Sequence, residues 1–244
     1  MISRKSCVAY IGSEYLFKFM RICVIIPAYN AGETINEALE RVRKTNNTAD
    51  IIVVDDGSND DTAEKAKAFG AVVLTHPRNF GKGAALKTAF EYCLKNGYDV
   101  FVTLDADLQH PPEMINDFIA KIESGYDLVV GNRLYNTDGM PFERKISNAC
   151  STFIVSLMSG IKVEDSQCGY RAIKRWILER ATLLSRKYEI ESELIVEAAR
   201  MGAKIAFIKI PTIYRGKSYF HPIVDTLRFL WFVLTYFPKR WFLK

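Results

Sequence analysis

Arg21-Ile22-Cys23-Val24-Ile25-Ile26 is a short, β-branched, nearly continuous apolar run that stops at Pro27, and its reading decides the fold. A run of this length without polar alternation is the pattern of a strand buried on both faces. Working outward, residues 34–44 carry apolar side chains at helical spacing, with Ile35, Leu39 and Val42 on one face. The alternation then repeats. The pattern predicts strands at 51–54, 71–74, 100–104 and 128–130, and helices at 60–69, 83–95 and 113–123. Strands alternating with helices across short connections imply a largely parallel sheet covered on both faces. Such sheets bind ligands beyond the carboxyl ends of their strands, and the acidic motifs of this chain fall at those ends.

Beyond Gly131 the rhythm changes. A helix rich in small and apolar residues is predicted at 146–161, more helical patterning in the region around 172–201, and a strand at 204–210 ending at Pro211. No linker, repeat or low-complexity tract separates these pieces. Residues 21–218 therefore read as one domain, with an extension at 1–20 and an apolar, basic tail at 219–244. The chain has 244 residues, 49% hydrophobic and 25% charged, enough for one large α/β core. A net charge of +5 suits anionic partners such as nucleotide diphosphates, lipid phosphates or an anionic membrane surface. There is no dense basic stripe interleaved with aromatics, so no nucleic-acid partner is expected. The five cysteines (Cys7, Cys23, Cys93, Cys150 and Cys168) form no C-x-x-C pair and indicate a reducing compartment. Cys23 and Cys93 sit in apolar patterns and read as small core residues.

Two acidic stretches carry the chemistry. Asp55-Asp56-Gly57-Ser58-Asn59-Asp60-Asp61-Thr62 follows the second strand. Adjacent carboxylates at a strand end are costly unless donors meet them, and a nucleobase N–H or ribose hydroxyls would serve Asp55. Gly57, Asp60 and Thr62 suit a tight turn, with Asp60 capping the next helix. Asp105-Ala106-Asp107-Leu108-Gln109 ends another buried strand. Carboxylates at i and i+2 can aim oxygens at one hard cation, Mg²⁺ or Mn²⁺, with Gln109 adding a neutral oxygen. His110, ahead of Pro111-Pro112, reads as a hydrogen-bonding loop residue. Asp165 and Arg171 flank Gly169 and suit either a structural ion pair or a substrate contact. Glu191 and Glu193 read as favourable charge near a helix N-terminus.

Five segments occur in order: Pro27-Ala28-Tyr29-Asn30, Asp55-Asp56-Gly57-Ser58, Asn79-Phe80-Gly81-Lys82-Gly83, Asp105-Ala106-Asp107-Leu108-Gln109-His110-Pro111 and Gly131-Asn132-Arg133. Together they resemble the inverting glycosyltransferases of family 2, from about residue 21 to residue 211. The resemblance implies the GT-A fold: α/β, with a Rossmann-like, mostly parallel sheet flanked by helices and here a C-terminal amphipathic helix. Asp165-Ser166-Gln167-Cys168-Gly169-Tyr170-Arg171 and Ile210-Pro211-Thr212-Ile213-Tyr214-Arg215 look most like the dolichyl- or polyprenyl-phosphate mannose and glucose synthases. Resemblance then implies that Pro27, Tyr29 and Asp55 bind the nucleoside, with Glu33, Lys82 and Ala106 completing the donor site. It implies that Asp105, Asp107 and Gln109 serve a divalent metal, and that Arg133, Arg144, Ser147 and Arg215 face an acceptor phosphate. Asp105, Asp107, Arg133 and Arg215 would be the catalytic set. The family often has Glu directly after Tyr-Asn; here Ala31 stands there and Glu33 follows two residues on, leaving GDP-mannose and UDP-glucose both open as donors.

A lipid phosphate is already ionised near neutral pH, so it needs cationic groups rather than a general base, and bidentate arginine suits it. A hydroxyl acceptor would need a carboxylate base. The chain lacks the Glu-Asp and Gln-x-x-Arg-Trp pattern of the family's polysaccharide synthases, which favours a phosphate acceptor over a saccharide or protein hydroxyl. A third reading is a catalytically silent membrane adaptor. Residues 223–237 contain Phe229-Leu230-Trp231-Phe232-Val233-Leu234, preceded by Asp225 and Arg228 and followed by Lys239, Arg240, Trp241 and Lys244. This run falls short of the roughly 20 apolar residues that cross a bilayer. It suits either a helix lying in the membrane interface or one packed on the core. Residues 1–20 lack a signal-peptide pattern, since Glu14 and Lys18 break their apolar stretch. The expected location is the cytoplasmic face of a membrane, peripherally bound.

Overall fold

The computed structural model describes residues 20–211 and the helix Pro222–Trp241, with side chains described from 227 to 236 in that helix. Nearly all of the expected extension at 1–20 lies outside the described residues, as do residues 212–221 and with them Arg215.

The Ile22–Ala28 run is strand β1, and Cys23, Val24, Ile25 and Ile26 have no exposed surface. It is followed by α1 (Ile35–Thr45), β2 (Asp50–Asp55), α2 (Thr62–Phe69), β3 (Val72–Thr75), α3 (Lys82–Lys95) and β4 (Val100–Thr103). A 3₁₀ turn at Pro112–Met114 leads into α4 (Ile115–Glu123) and β5 (Leu128–Asn132). The remainder is α5 (Phe142–Ser159), β6 (Arg171–Lys174), α6 (Arg175–Arg180), α7 (Glu189–Arg200), β7 (Ile205–Lys209) and α8 (Pro222–Trp241). Cys23 and Cys93 are both fully buried, as the pattern predicts.

The sheet has seven strands in the order β3-β2-β1-β4-β6-β5-β7. All neighbours are parallel except β6, which runs antiparallel to both β4 and β5. The helical patterning expected around 172–201 forms α6 and α7, while the short strand β6 at its start is unexpected. Four residues are too few to display a period, and Arg171 at the strand's start disguises it as surface. In fact Arg171 is 2% exposed. Its guanidinium donates to the carbonyls of Cys168 (2.8 Å), Ser166 (3.0 Å) and Glu191, tying β6 to the first turn of α7. Arg171 is therefore not the partner of Asp165, which pairs elsewhere.

Helix α2 begins two residues later than expected. Its N-cap is Asp61, while Asp60 accepts the N–H groups of Gly32 (2.9 Å) and Thr62 (3.1 Å) and so joins two loops instead of capping. Gly57 does take the left-handed turn, at φ +73°, and a Cβ there would lie 2.4 Å from the Arg78 backbone.

Helix α5 has an inverted character. Asn148, Ser151, Thr152 and Val155 are buried, whereas Phe142, Ile146, Phe153 and Leu157 are exposed. Helix α8 packs Phe229, Phe232 and Tyr236 inward, with the Tyr236 hydroxyl donating to Glu197. It leaves Leu227, Leu230, Trp231 and Leu234 outside. No described helix is long and apolar enough to cross a membrane.

Arg171→Met should strand three buried carbonyls and lower unfolding free energy by about 3 kcal/mol, read from urea denaturation. A loss under about 0.5 kcal/mol, the ordinary scale of a surface change, would refute its bracing role.

Candidate active site

Sheet register sets the site. Ala28 pairs with Asp55 and Ile25 with Thr103, so the carboxyl ends of β1, β2 and β4 finish along one edge. Pro27, Tyr29 and Asp55 lie at that edge. The two loops are laced together: the Asn30 N–H donates to Ser58 Oγ (2.8 Å), and Asn30 Oδ1 accepts the Asn59 N–H (2.9 Å). Asp55 is 2% exposed, and its Oδ1 accepts the Ser58 N–H at 3.2 Å. Glu33 sits exposed on the turn before α1.

Asp56, its equally buried neighbour, has another task. It accepts the N–H groups of Phe80 (3.0 Å) and Gly81 (2.7 Å) and contacts His76 Nδ1 at 2.6 Å. These bonds hold the loop that starts α3. Gly81, at φ +101°, and Gly83 then let that start dock on the chain ahead of α7: a Cβ on Gly83 would stand 2.6 Å from the Arg186 carbonyl carbon. The Ala84 N–H donates to Arg186 O at 3.0 Å. The close approach delivers Lys82 to the acidic loop.

Lys82 Nζ lies 2.5 Å from Asp105 Oδ1 and 2.6 Å from Glu191 Oε1. Burial alone would lower the ammonium's pKa, but these two carboxylates outweigh it and hold it above the ordinary lysine range. Burial would likewise raise Asp105, and Lys82 first, then His110, keep it below the ordinary carboxylate range. Leu108, at φ +60°, kinks the loop and buries its own side chain, at a cost of roughly 1–3 kcal/mol for a non-glycine residue. The kink leaves Asp107 exposed, with its Oδ1 accepting the Gln109 N–H at 3.0 Å. Surrounding protein, then the charge of Asp105, push the Asp107 carboxyl up to about 6, an effect that water at this exposed side chain partly screens.

His110 is more than a loop residue. It is 2% exposed, and burial pushes its pKa down to about 4, so near neutral pH it is an uncharged imidazole. Its Nδ1 stands 3.8 Å from Asp105 Oδ2, too far for a hydrogen bond, and has no partner among the described residues.

Arg133 is gripped by Asp165 in a two-pronged pair, Nε to Oδ2 at 2.8 Å and Nη2 to Oδ1 at 3.0 Å. Burial would lower the Arg133 pKa; Asp165 holds it well above the usual value. The ion pair expected of Asp165 exists, with Arg133 rather than Arg171 as its partner. Nη1 takes no part in the fork, and Arg133 lines a cavity of about 220 Å³.

That cavity also brings together Lys82, Asp105, Asp107, Gln109, Arg144 and Ser147. Ile154, Phe229 and Leu230 give it an apolar side. Ala106 is buried and does not line it; Pro27, Tyr29 and Asp55 border the neighbouring strand ends. Glu191 stands in the first turn of α7, as expected of a helix-end charge, and it lines the cavity as well. The usable signal was its place in α7, three residues before Leu194 and four before Ile195, on the apolar face. Glu193 is also buried, and accepts the Leu184 and Ser185 N–H groups at 2.9 Å each. Among the described residues no three His, Cys, Asp or Glu side chains form a metal cage. Two carboxylates and an amide oxygen lining one cavity nevertheless suit a hard cation that would draw its other ligands from phosphate and water.

The family profile "Glycosyl transferase family 2" matches residues 23–182. An uncharacterised protein of Methanocaldococcus jannaschii is 37% identical, covering 81% of this chain and 83% of its own length. UDP-N-acetylglucosamine–dolichyl-phosphate N-acetylglucosaminyltransferase of Methanococcus voltae is 32% identical, covering 81% and 87%. Undecaprenyl-phosphate mannosyltransferase of Micrococcus luteus is 31% identical, covering 80% and 85%. In structure, the chain resembles glucosyl-3-phosphoglycerate synthase of Mycobacterium tuberculosis, solved with Mn²⁺, UDP and product, at TM-score 0.72 and 21% identity over 89% of this chain and 79% of that one. This likeness shows the fold.

Asp56→Ala should cost about 3 kcal/mol by removing bonds from two backbone N–H groups to a charged acceptor. Hydrogen exchange at Phe80 and Gly81 should speed up well before the core opens, and unchanged protection there would contradict the anchoring role.

Proposed function

The chain belongs to glycosyl transferase family 2, and we propose that it transfers a hexose, mannose or glucose, from GDP- or UDP-sugar to a polyprenyl or dolichyl phosphate, with inversion. The observation that carries this reading is the make-up of one cavity. Its carboxylates and arginines face an apolar wall from α5 and α8, and Leu230 belongs both to that wall and to the exposed apolar stripe of α8. A polar head with a long hydrocarbon tail matches both ends. The relatives named as transferases to dolichyl or undecaprenyl phosphate support the same acceptor class.

The residues divide the work. Pro27, Tyr29 and Asp55 hold the nucleoside, with Glu33 near the base and Lys82 and Ala106 completing the donor site. Asp105, Asp107 and Gln109 hold Mg²⁺ or Mn²⁺, whose chemistry is to neutralise the leaving diphosphate. Arg133, oriented by Asp165, receives the acceptor phosphate with Arg144, Ser147 and Arg215. A phosphate oxygen forms the new bond to the anomeric carbon as the bond to the diphosphate breaks on the opposite face. No proton need move, and no general base is assigned. Residues 21–218 form the catalytic domain and 219–244 a membrane-surface tail.

The outward apolar stripes of α5 and α8 support docking in the membrane interface, where Phe142, Phe153 and Trp231 leave water. The exposed thiol of Cys150 suits the reducing, cytoplasmic side.

Purified protein given labelled GDP-mannose or UDP-glucose, polyprenyl phosphate and Mn²⁺ should yield an organic-soluble product. Label confined to water-soluble saccharide would overturn the lipid acceptor. Asp107→Ala should abolish transfer, whereas a silent adaptor would lose nothing. Arg133→Lys keeps the charge but loses the fork, and should raise the acceptor KM about tenfold.

Trp231→Ser and Leu234→Ser should each weaken liposome binding by about tenfold, on the scale of one apolar side chain returned to water, with the melting temperature unchanged. Unaltered binding in the double variant would remove α8 from the membrane contact.

A further inference from the structure

We propose that Glu191 is a positioning residue of the donor site, a second seat for the Lys82 ammonium that frees Asp105 to bind a divalent cation. The inference rests on the metal role given to Asp105 under Proposed function.

The geometry places one ammonium between two carboxylates at nearly equal distance, 2.5 Å from Asp105 and 2.6 Å from Glu191. Only one of them belongs to the acidic loop. A divalent ion on Asp105 and an ammonium on the same carboxylate repel each other, so cation binding at Asp105 must displace Lys82 or share the oxygens with it. Without a second anion, Lys82 would have nowhere to go. Its side chain is 14% exposed, and a buried ammonium left unpaired is strongly unfavourable. Glu191, 5% exposed, supplies that anion.

Three features keep the second seat in place. The Arg171 guanidinium donates to the Glu191 carbonyl and fixes the first turn of α7. Thr103 Oγ1 donates to Gly169 O at 2.7 Å and holds that peptide beside the acidic loop. Gly169 itself is bare where the three charges converge: a Cβ there would lie 2.6 Å from Lys82 Nζ, 2.8 Å from Glu191 Oε1 and 3.0 Å from Asp105 Oδ2. The cluster therefore tolerates a sideways shift of the ammonium and no added atom at this glycine.

The test is Mn²⁺ binding without donor, followed by electron paramagnetic resonance, for wild type, Glu191→Gln, Lys82→Met and the double variant, with melting curves to confirm folding. Glu191→Gln should weaken Mn²⁺ about tenfold, because Lys82 then competes fully for Asp105, and Lys82→Met should tighten it by a similar factor. In the double variant there is no ammonium left to compete for Asp105 and so no need for a second seat, and affinity should recover to the wild-type value or above. A simple structural role predicts that all three variants weaken binding, and that result would overturn the proposal. If Glu191→Gln does not fold, Lys82→Met decides alone: tighter binding supports the proposal, and equal or weaker binding refutes it. Asp107→Ala separates the two levels. Wild-type Mn²⁺ binding that Asp107→Ala abolishes upholds the metal site even if the Lys82 result fails, whereas binding that survives Asp107→Ala, or no wild-type binding, overturns both.

Discussion

Strand β1 pairs in parallel with β2 on one side and β4 on the other, and the rest of the molecule is arranged around that register. With Ala28 opposite Asp55 and Ile25 opposite Thr103, two acidic loops leave the sheet at the same edge. A slip in this register would carry the two acidic loops out of line with the end of β1. The apolar residues of β1 place it in the middle of the sheet, because both of its faces are covered. Chemistry at the edge is thus a consequence of packing in the middle.

Charge is buried around that edge in compensated groups. Asp165 grips Arg133, Asp105 and Glu191 share Lys82, and Asp56 gathers backbone N–H groups from the loop that begins α3. Each arrangement meets the cost of taking an ion out of water with a partner in defined geometry. Rigidity follows, because none of these charges can turn away without leaving another unpaired. Arg133 and Lys82 consequently reach the cavity already oriented, whereas Asp107, on the kink made by Leu108, stays open to solvent.

The second design principle is the reversal of polarity along α5. Its buried face carries Asn148, Ser151 and Thr152, and Phe142, Ile146, Phe153 and Leu157 lie outside. In water alone such a helix would gain by turning over. The polar cavity inside, together with an apolar medium outside such as the proposed membrane docking would supply, would stabilise it as it stands.

Period and composition were enough to read β1 to β5, helices α1 to α4 and the acidic loops at the strand ends, because local runs such as Val100–Thr103 carry their own signal. The motifs in order were enough for the family. What the sequence could not show was pairing across long separations. Arg171 and Asp165 are neighbours in the chain and look like a pair, yet Asp165 takes Arg133, 32 residues away, and Arg171 binds carbonyls. Glu191 is the helix-end charge its pattern suggests, but its pairing with Lys82, 109 residues distant, is not visible there. β6 hides because an internal arginine reads as surface. The sequence by itself determined the layers and the chemistry at the edge of the sheet, since both arise from local patterning. Only the tertiary structure decided which charges meet, because a buried ion's partner is set by where the chain folds back and not by its neighbours along it.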